Sequence, residues 1–341
     1  MPTFAHDELH DLAARALAAA GTPGDIADRV AGSLVDSNLK GVDSHGILRL
    51  PVYLKEIADG FVAPAARPAL HGETAATAQM RGGRGFGIFA MEAATELAVA
   101  KAKAGGVAAV GLSECSHTGR IGQFTEQAAR YGCFAQILGG GAHVDWSTVA
   151  PFGGAAPVMS TNPYSFAMPG GKHGAVVADF ATSAVSRGKI LVHQAKGMPV
   201  PEGWLLDRDG RATTDPNDLD RGGMQLPAAG HKGYGMGLIA ELLCYAMVTP
   251  PPDSPSDANW LILAVDIAAF RAVADYAAPA EAYLDKVKAT RPAEGFAEVL
   301  LPGEPERRTE RARRENGIEL PEATWRAVRE AVEAVGVSAD R

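Results

Sequence analysis

The chain has 341 residues, 47% hydrophobic and 21% charged, and its 32 basic and 40 acidic side chains give a net charge of -8. These are the proportions of a folded protein of one or two domains, not of a disordered chain, and the negative sign argues against nucleic acid, which asks for a basic footprint. Cys115, Cys133 and Cys244 form no pair by spacing and read as free thiols, the opening residues do not form a signal peptide, and no apolar run has the length of a membrane span, so a cytoplasmic protein is expected.

In chain order, Leu9, Leu12, Ala13, Ala16 and Leu17 keep a period near 3.6 and predict a helix ended by Gly21. Thr22-Pro23 starts a second one, with Ile26, Val30, Leu34 and Val35 as its apolar face and Lys40-Gly41 as its close. In GVDSHGILRLPVYL, Asp43 or Ser44 is a plausible helix cap. A helix from that point sets His45, Arg49 and Tyr53 on one face at i, i+4 and i+8, although Pro51 counts against a straight one. GGRGFGIFA reads as a glycine-dense loop entering a helix from Ile88 to Lys103, followed by a short strand, Val107 to Leu112. The loop SECSHTGRIG, a helix through Phe124 and Ala128, and the strand CFAQIL then give a βαβ-like order and an α/β protein. Residues 155–185 read as strands and loops, residues 207–210 as a turn, and residues 232–248 as an apolar helix begun by glycines. A proline-rich break, VTPPPDSPSDAN, precedes the buried strand WLILAVDI and a helix around 268–288. Residues 303–317 are densely charged and read as a solvated surface, and the chain closes on the amphipathic helix PEATWRAVREAVEAVG.

Histidine passes protons near neutral pH and arginine offers a fork to a carboxylate, so His45 and Arg49 suit a reaction on a small acid. The plainer reading, a serine cap and two surface residues, is preferred on spacing alone. Residues 116–122, SHTGRIG, lie between strand and helix where backbone N–H groups favour anions, but a simple turn is the commoner case. In residues 230–237, GHKGYGMG, Lys232 is placed to meet a phosphate, or else the glycines serve helix packing. The chain has no GxGxxG after a strand and no GxxxxGK[ST]. His117, His143 and Asp145 are residue types that can ligate a metal, but without HExxH or a cysteine pair no metal is expected. Ser44 beside His45 lacks the GxSxG elbow of a hydrolase.

Taken in order, DSHGILRLPVYL, SHTGRIGQF, TNPYSFAMP, DFATSAVSRGKI, GHKGYGMGL, LAVD and LPGEPE resemble the malate/L-lactate dehydrogenase family that is unrelated to the Rossmann-type enzymes, over residues 5–335. The resemblance implies an α/β fold: a non-Rossmann nucleotide-binding domain with a mixed sheet (117–299), plus a helical substrate and dimerisation domain (1–116 and 300–341). It implies an NAD- or NADP-dependent oxidoreductase of small 2-oxo or 2-hydroxy acids, with cyclic imino acids as the runner-up substrate and a non-catalytic binding protein as the contrasting class. It also implies a homodimer.

By the same resemblance His45 is the proton donor, tuned by Ser44 and Asp179, Arg49 clamps the substrate carboxylate, and His117 contacts substrate or shares the acid–base role. Tyr53, Thr161 and Asn162 line the substrate pocket. The nucleotide site takes His117, Thr118, Gly119, Arg120 and Ile121, then Asp179, Phe180, Ala181, Thr182 and Ser183, with Lys189, His231, Lys232, Gly233, Gly303 and Glu304. Arg120 and Arg187 are the candidates for a ribose 2′-phosphate. One departure stands out: where the family runs through a longer glycine-rich segment after GHKGYGMGLIAELL, this chain has only CYAMVTPPPDSPSDAN, which would reshape the pocket or the interface.

Overall fold

A computed structural model describes residues 1–141, 147–248 and 259–339. His143 and Asp145, and most of the proline-rich break, lie outside the described residues.

A short strand β1 (Thr3–Phe4) leads into α1 (His6–Ala19) and α2 (Gly24–Leu39). The predicted apolar positions of both helices are buried, and Pro23 occupies the cap of α2 itself. The predicted helix at Asp43 does not form. Two 3-10 turns, Asp43–His45 and Ile47–Arg49, precede α3 (Leu50–Ala58), where Pro51 sits in the first turn and costs no hydrogen bond.

Next come β2 (Ala69–Glu73), β3 (Thr77–Gly85), α4 (Gly87–Gly105), β4 (Val107–Cys115), α5 (Gly122–Arg130), β5 (Cys133–Gly140), β6 (Pro163–Met168) and β7 (Val176–Ala181). The glycine-dense stretch is therefore mostly the end of β3, which pairs with β4 in parallel through the α4 crossover. After α6 (Arg187–Lys196), the short strands β8 (Leu205–Leu206), β9 (Ala212–Thr213) and β10 (Met224–Gln225) form a small sheet of their own. The apolar helix is α7 (His231–Glu241), which passes into a π-helical turn, Leu242–Val248, instead of continuing. The chain ends through β11 (Asn259–Asp266), α8 (Val273–Lys288), α9 (Glu304–Asn316), β12 (Ile318–Glu319) and α10 (Glu322–Ala334).

The main sheet has the order β2-β3-β4-β11-β5-β6-β7. β11 lies between β4 and β5, antiparallel to both, with Ile262 opposite Val110 on one side and Ile137 on the other. Successive side chains of a strand face opposite ways. Ile262 joins the large core under α1, α2, α3, α4 and α10, whereas Leu261 joins Leu138 and Tyr164 against Ala240, Cys244 and Val248. The sheet takes β2, β3 and β4 from before residue 117 and its other strands from after it. Helices α1, α2, α3, α9 and α10 form the terminal helical layer.

Candidate active site

The last turn of α2 organises the loop that follows it. Asn38 is buried; its Oδ1 accepts the Ile47 N–H at 2.7 Å and its Nδ2 donates to Asp43 at 2.7 Å. A Cβ at Gly46 would lie 2.3 Å from Asn38 Oδ1, so only glycine lets the chain pass. Asp43 caps nothing; it receives both Nη groups of Arg313, at 2.7 and 3.1 Å. The charged segment 303–317 is thus no mere solvated surface, because α9 grips this loop.

Within the loop, Ser44 Oγ stands 3.0 Å from His45 Nδ1, and the Ser44 carbonyl accepts Arg49 Nε at 3.1 Å. Neither Nη of Arg49 has a partner among the described residues. His45 stacks on His117 with ring centroids 5.4 Å apart and planes at 21°. The second imidazole comes from the loop after β4, which lies against the start of α4: a Cβ at Gly87 would meet the Ser116 carbonyl at 1.9 Å. Tyr53 does not share a face with His45 and Arg49. It points inward, is 1% exposed, and places its hydroxyl 2.7 Å from His117 Nδ1. Burial first, then the Arg49 charge, then Arg120, lowers the His45 pKa to about 4. Burial, Arg49 and His45 hold His117 well below the ordinary imidazole value. Both rings are neutral near pH 7.

Asp179, near the end of β7, accepts the Gly122 N–H at the start of α5 at 2.8 Å and makes no hydrogen bond to either histidine. It caps a helix rather than orienting His45. Desolvation by surrounding protein raises its pKa against the opposing pull of Gly122 and Arg120.

Arg120 is turned into the protein. It is buried against Asp36 at 3.0 Å and Glu126 at 3.7 Å, in a cluster with buried Lys40. Asn162 is fully buried and donates to Glu241 at 2.7 Å and to the Gly139 carbonyl, so it pins the pocket wall from behind. Glu241 also accepts the N–H groups of Gly141 and Ser160. Thr118 and Ile121 are core residues.

The nucleotide candidates gather around the end of β7. The Thr161 carbonyl accepts both N–H and Oγ1 of Thr182, while the Ala228 N–H donates to the Thr182 carbonyl at 2.8 Å. Ala229 and Gly230 have φ of 49° and 63°, and α7 starts immediately after them with His231 and Lys232 exposed. A Cβ at Gly233 would lie 2.4 Å from the Ala228 carbonyl. A Cβ at Gly188, in the first turn of α6, would lie 3.3 Å from Ser44 Cβ, so the start of α6, with exposed Lys189, lies beside the loop that carries His45. Phe180 and Ala181 complete this strand end, Phe180 stacking on Phe166 and exposing its ring. Gly303 lies at the other end of β7, beside Val177, and Glu304 is engaged by Lys288 and Arg308. Lys189 and Lys232, with no acidic partner among the described residues, and the α7 N-terminus fit the pyrophosphate of a dinucleotide.

The fold and this cleft define a non-Rossmann α/β oxidoreductase. The family described as malate/L-lactate dehydrogenase matches residues 4–329, and the chain belongs to it. It is an NAD- or NADP-dependent enzyme of the hydroxy-acid dehydrogenase type. It is 34% identical to a (2R)-3-sulfolactate dehydrogenase (NADP(+)) from Chromohalobacter salexigens over 93% of this chain and 94% of that one. It is also 34% identical to Delta(1)-pyrroline-2-carboxylate reductase 1 from Burkholderia ambifaria, over 71% and 70%. The solved sulfolactate dehydrogenase of Methanocaldococcus jannaschii superposes with a TM-score of 0.89 at 31% identity, covering 99% of this chain and 98% of that one.

No sequence signal announced Asn38 or Arg313 as part of the site. Glu241 did carry one, as a lone acid inside an apolar helix.

Proposed function

We propose that this chain interconverts small 2-oxo acids and 2-hydroxy acids, with Arg49 holding the substrate carboxylate and His45 exchanging the proton. The observation that carries the reading is the free guanidinium fork of Arg49 beside two stacked neutral imidazoles. When bound, NAD(P)H supplies a hydride to C2 of the substrate. His45 gives a proton to the C2 oxygen in reduction and takes it back in oxidation. A carboxylate on Arg49 screens the charge that holds His45 down, so substrate binding itself raises the affinity of His45 for the proton. Thr161 lines the pocket. Lys189, His231 and Lys232 hold the dinucleotide phosphates, and exposed Arg187 is the residue for a ribose 2′-phosphate, since Arg120 is committed elsewhere.

Cyclic imino acids are the second reading, favoured by the name of the Burkholderia relative. We also infer a homodimer, supported by an exposed apolar stripe of Leu238, Ile239, Leu242, Tyr245 and Met247 along α7 and the π-turn. Three buried cysteine thiols suit a reducing compartment such as the cytoplasm.

The test follows the near-ultraviolet absorbance of NADH and NADPH with pyruvate, oxaloacetate, further 2-oxo acids and cyclic imino acids. Substrate-dependent oxidation that His45→Ala abolishes is the expected result. Absence of binding by either nucleotide would overturn the reading.

A further inference from the structure

His117 has a more restricted role than its neighbour His45, and the reason lies on one ring nitrogen. Its Nδ1 receives the backbone N–H of Gly119 at 3.3 Å. An amide N–H only donates, so Nδ1 presents a lone pair, and the Tyr53 hydroxyl 2.7 Å away must donate to it as well. A neutral imidazole carries one proton, so it sits on Nε2. That nitrogen has no hydrogen-bond partner among the described residues, and on the opposite edge of the ring it faces away from both donors.

We propose that Tyr53 is a positioning residue that, with the Gly119 amide, locks His117 as the Nε2–H tautomer, so that His117 donates a hydrogen bond to the C2 oxygen of a 2-oxo acid and takes no part in proton transfer. Protonating Nδ1 would set an N–H against the Gly119 N–H, which has no means of turning to accept. His45 has no such lock: Ser44 Oγ at 3.0 Å either donates to its Nδ1 or accepts from it, so that ring is free to change protonation state. The arrangement also selects substrate. A carbonyl oxygen accepts from His117, whereas the N–H of a protonated cyclic imine would meet a second donor. This rests on the reading of the cleft as a 2-oxo-acid site, which the tautomer measurement does not require.

The experiment records two-bond proton–nitrogen correlation spectra of the full chain labelled with 15N-histidine, with the His117 signals among the nine histidines assigned by their loss in His117→Gln. Expected is an unprotonated Nδ1 and a protonated Nε2 from pH 5 to 8, and movement of both nitrogens towards the averaged tautomer values in Tyr53→Phe. In turnover, Tyr53→Phe should lower kcat roughly tenfold with little change in KM, the pattern of a donor that acts mainly in the transition state. A protonated Nδ1 in the wild-type protein overturns the proposal. So does a Tyr53→Phe protein that melts earlier while its His117 nitrogens stay put. If the wild-type protein turns over none of the acids, the functional reading fails, and the spectra still decide the tautomer.

Discussion

Arg313 in α9 holds Asp43 through both of its Nη groups, at 2.7 and 3.1 Å, and the same side chain donates to the Asn38 carbonyl, although 270 residues separate it from the loop it steadies. A residue near the end of the chain thus fixes the segment carrying Ser44, His45 and Arg49. Bonds to charged groups contribute about 1.5–3 kcal/mol each when partly buried, so Arg313→Met should cost about 2 kcal/mol of stability. The loss should exceed that of Arg314→Met, whose side chain, among the described residues, pairs with Glu310 on its own helix. Chemical denaturation of the two variants measures the difference, and the clamp is refuted by equal midpoints.

Glu241 joins three segments that are distant in sequence. Its carboxylate takes the Gly141 N–H at 2.6 Å, the Ser160 N–H at 3.4 Å and Asn162 Nδ2 at 2.7 Å. In Glu241→Ala, buried Asn162 and the Gly141 amide lose an acceptor, at a cost of about 3 kcal/mol. In Glu241→Gln one carbonyl oxygen remains to accept, and about half of that loss is expected. Thermal melting of the pair shows whether the acceptor, and not just side-chain volume, is what matters.

Stability should depend on pH through both buried imidazoles, His117 acting in the same direction as His45. The His45 pKa is about 4 in the folded state against 6.5 for the unperturbed group, so between those values the unfolded chain binds the extra proton. Stability therefore rises with pH from about 4 to 6.5 and is flat from this source above that. Two and a half pH units correspond to at most about 3.4 kcal/mol. Glu304, lowered from 4.5 to about 2 with Lys288 as the largest cause, acts between those two values and so overlaps only the low end of this window. The difference between wild-type protein and His45→Gln, followed by denaturant titration from pH 4 to 8, isolates the histidine. A difference that stays constant with pH would show that His45 is not held neutral.

The helices with regular apolar spacing were legible in the sequence because burial of one face dictates that spacing: α1 and α2 bury the residues read from it. The stretch from Asp43 to Tyr53 was not, because its path is set by Asn38, Gly46 and Arg313, contacts that periodicity does not encode. Their chemistry singles out His45 and Arg49, whereas a continuous helix would set Tyr53 on their face and the structure turns it inward. Arg120 and Asn162 illustrate the same limit. A polar side chain beside a site looks alike in sequence whether it faces a ligand or a buried partner such as Asp36 or Glu241.

The apolar stripe on α7 and the π-turn makes a prediction about assembly. Leu242, Tyr245 and Met247 are each more than half exposed, an unusual concentration for a surface facing water. If a second copy covers them, Leu242→Glu with Met247→Glu should shift the chain from dimer to monomer in light scattering. The double variant should keep its helical circular dichroism, because neither side chain belongs to the core. A wild-type monomer at micromolar concentration would remove the inference.

Arg49 offers the sharpest separation of binding from proton transfer. Among the described residues nothing holds its fork, which can therefore take a carboxylate, and its charge is the second cause, after burial, of the low His45 pKa. Arg49→Gln removes both effects at once. Loss of a bidentate charged contact worth about 3 kcal/mol predicts a KM for 2-oxo acids raised roughly 100-fold. In the substrate-free variant, the His45 titration midpoint should move up from about 4 towards the ordinary value, because a nearby positive charge has gone. Nucleotide affinity should hold, since Lys189 and Lys232 are untouched. A raised KM with an unmoved His45 midpoint would mean that burial alone sets the proton affinity, and that substrate binding and protonation are not coupled through Arg49.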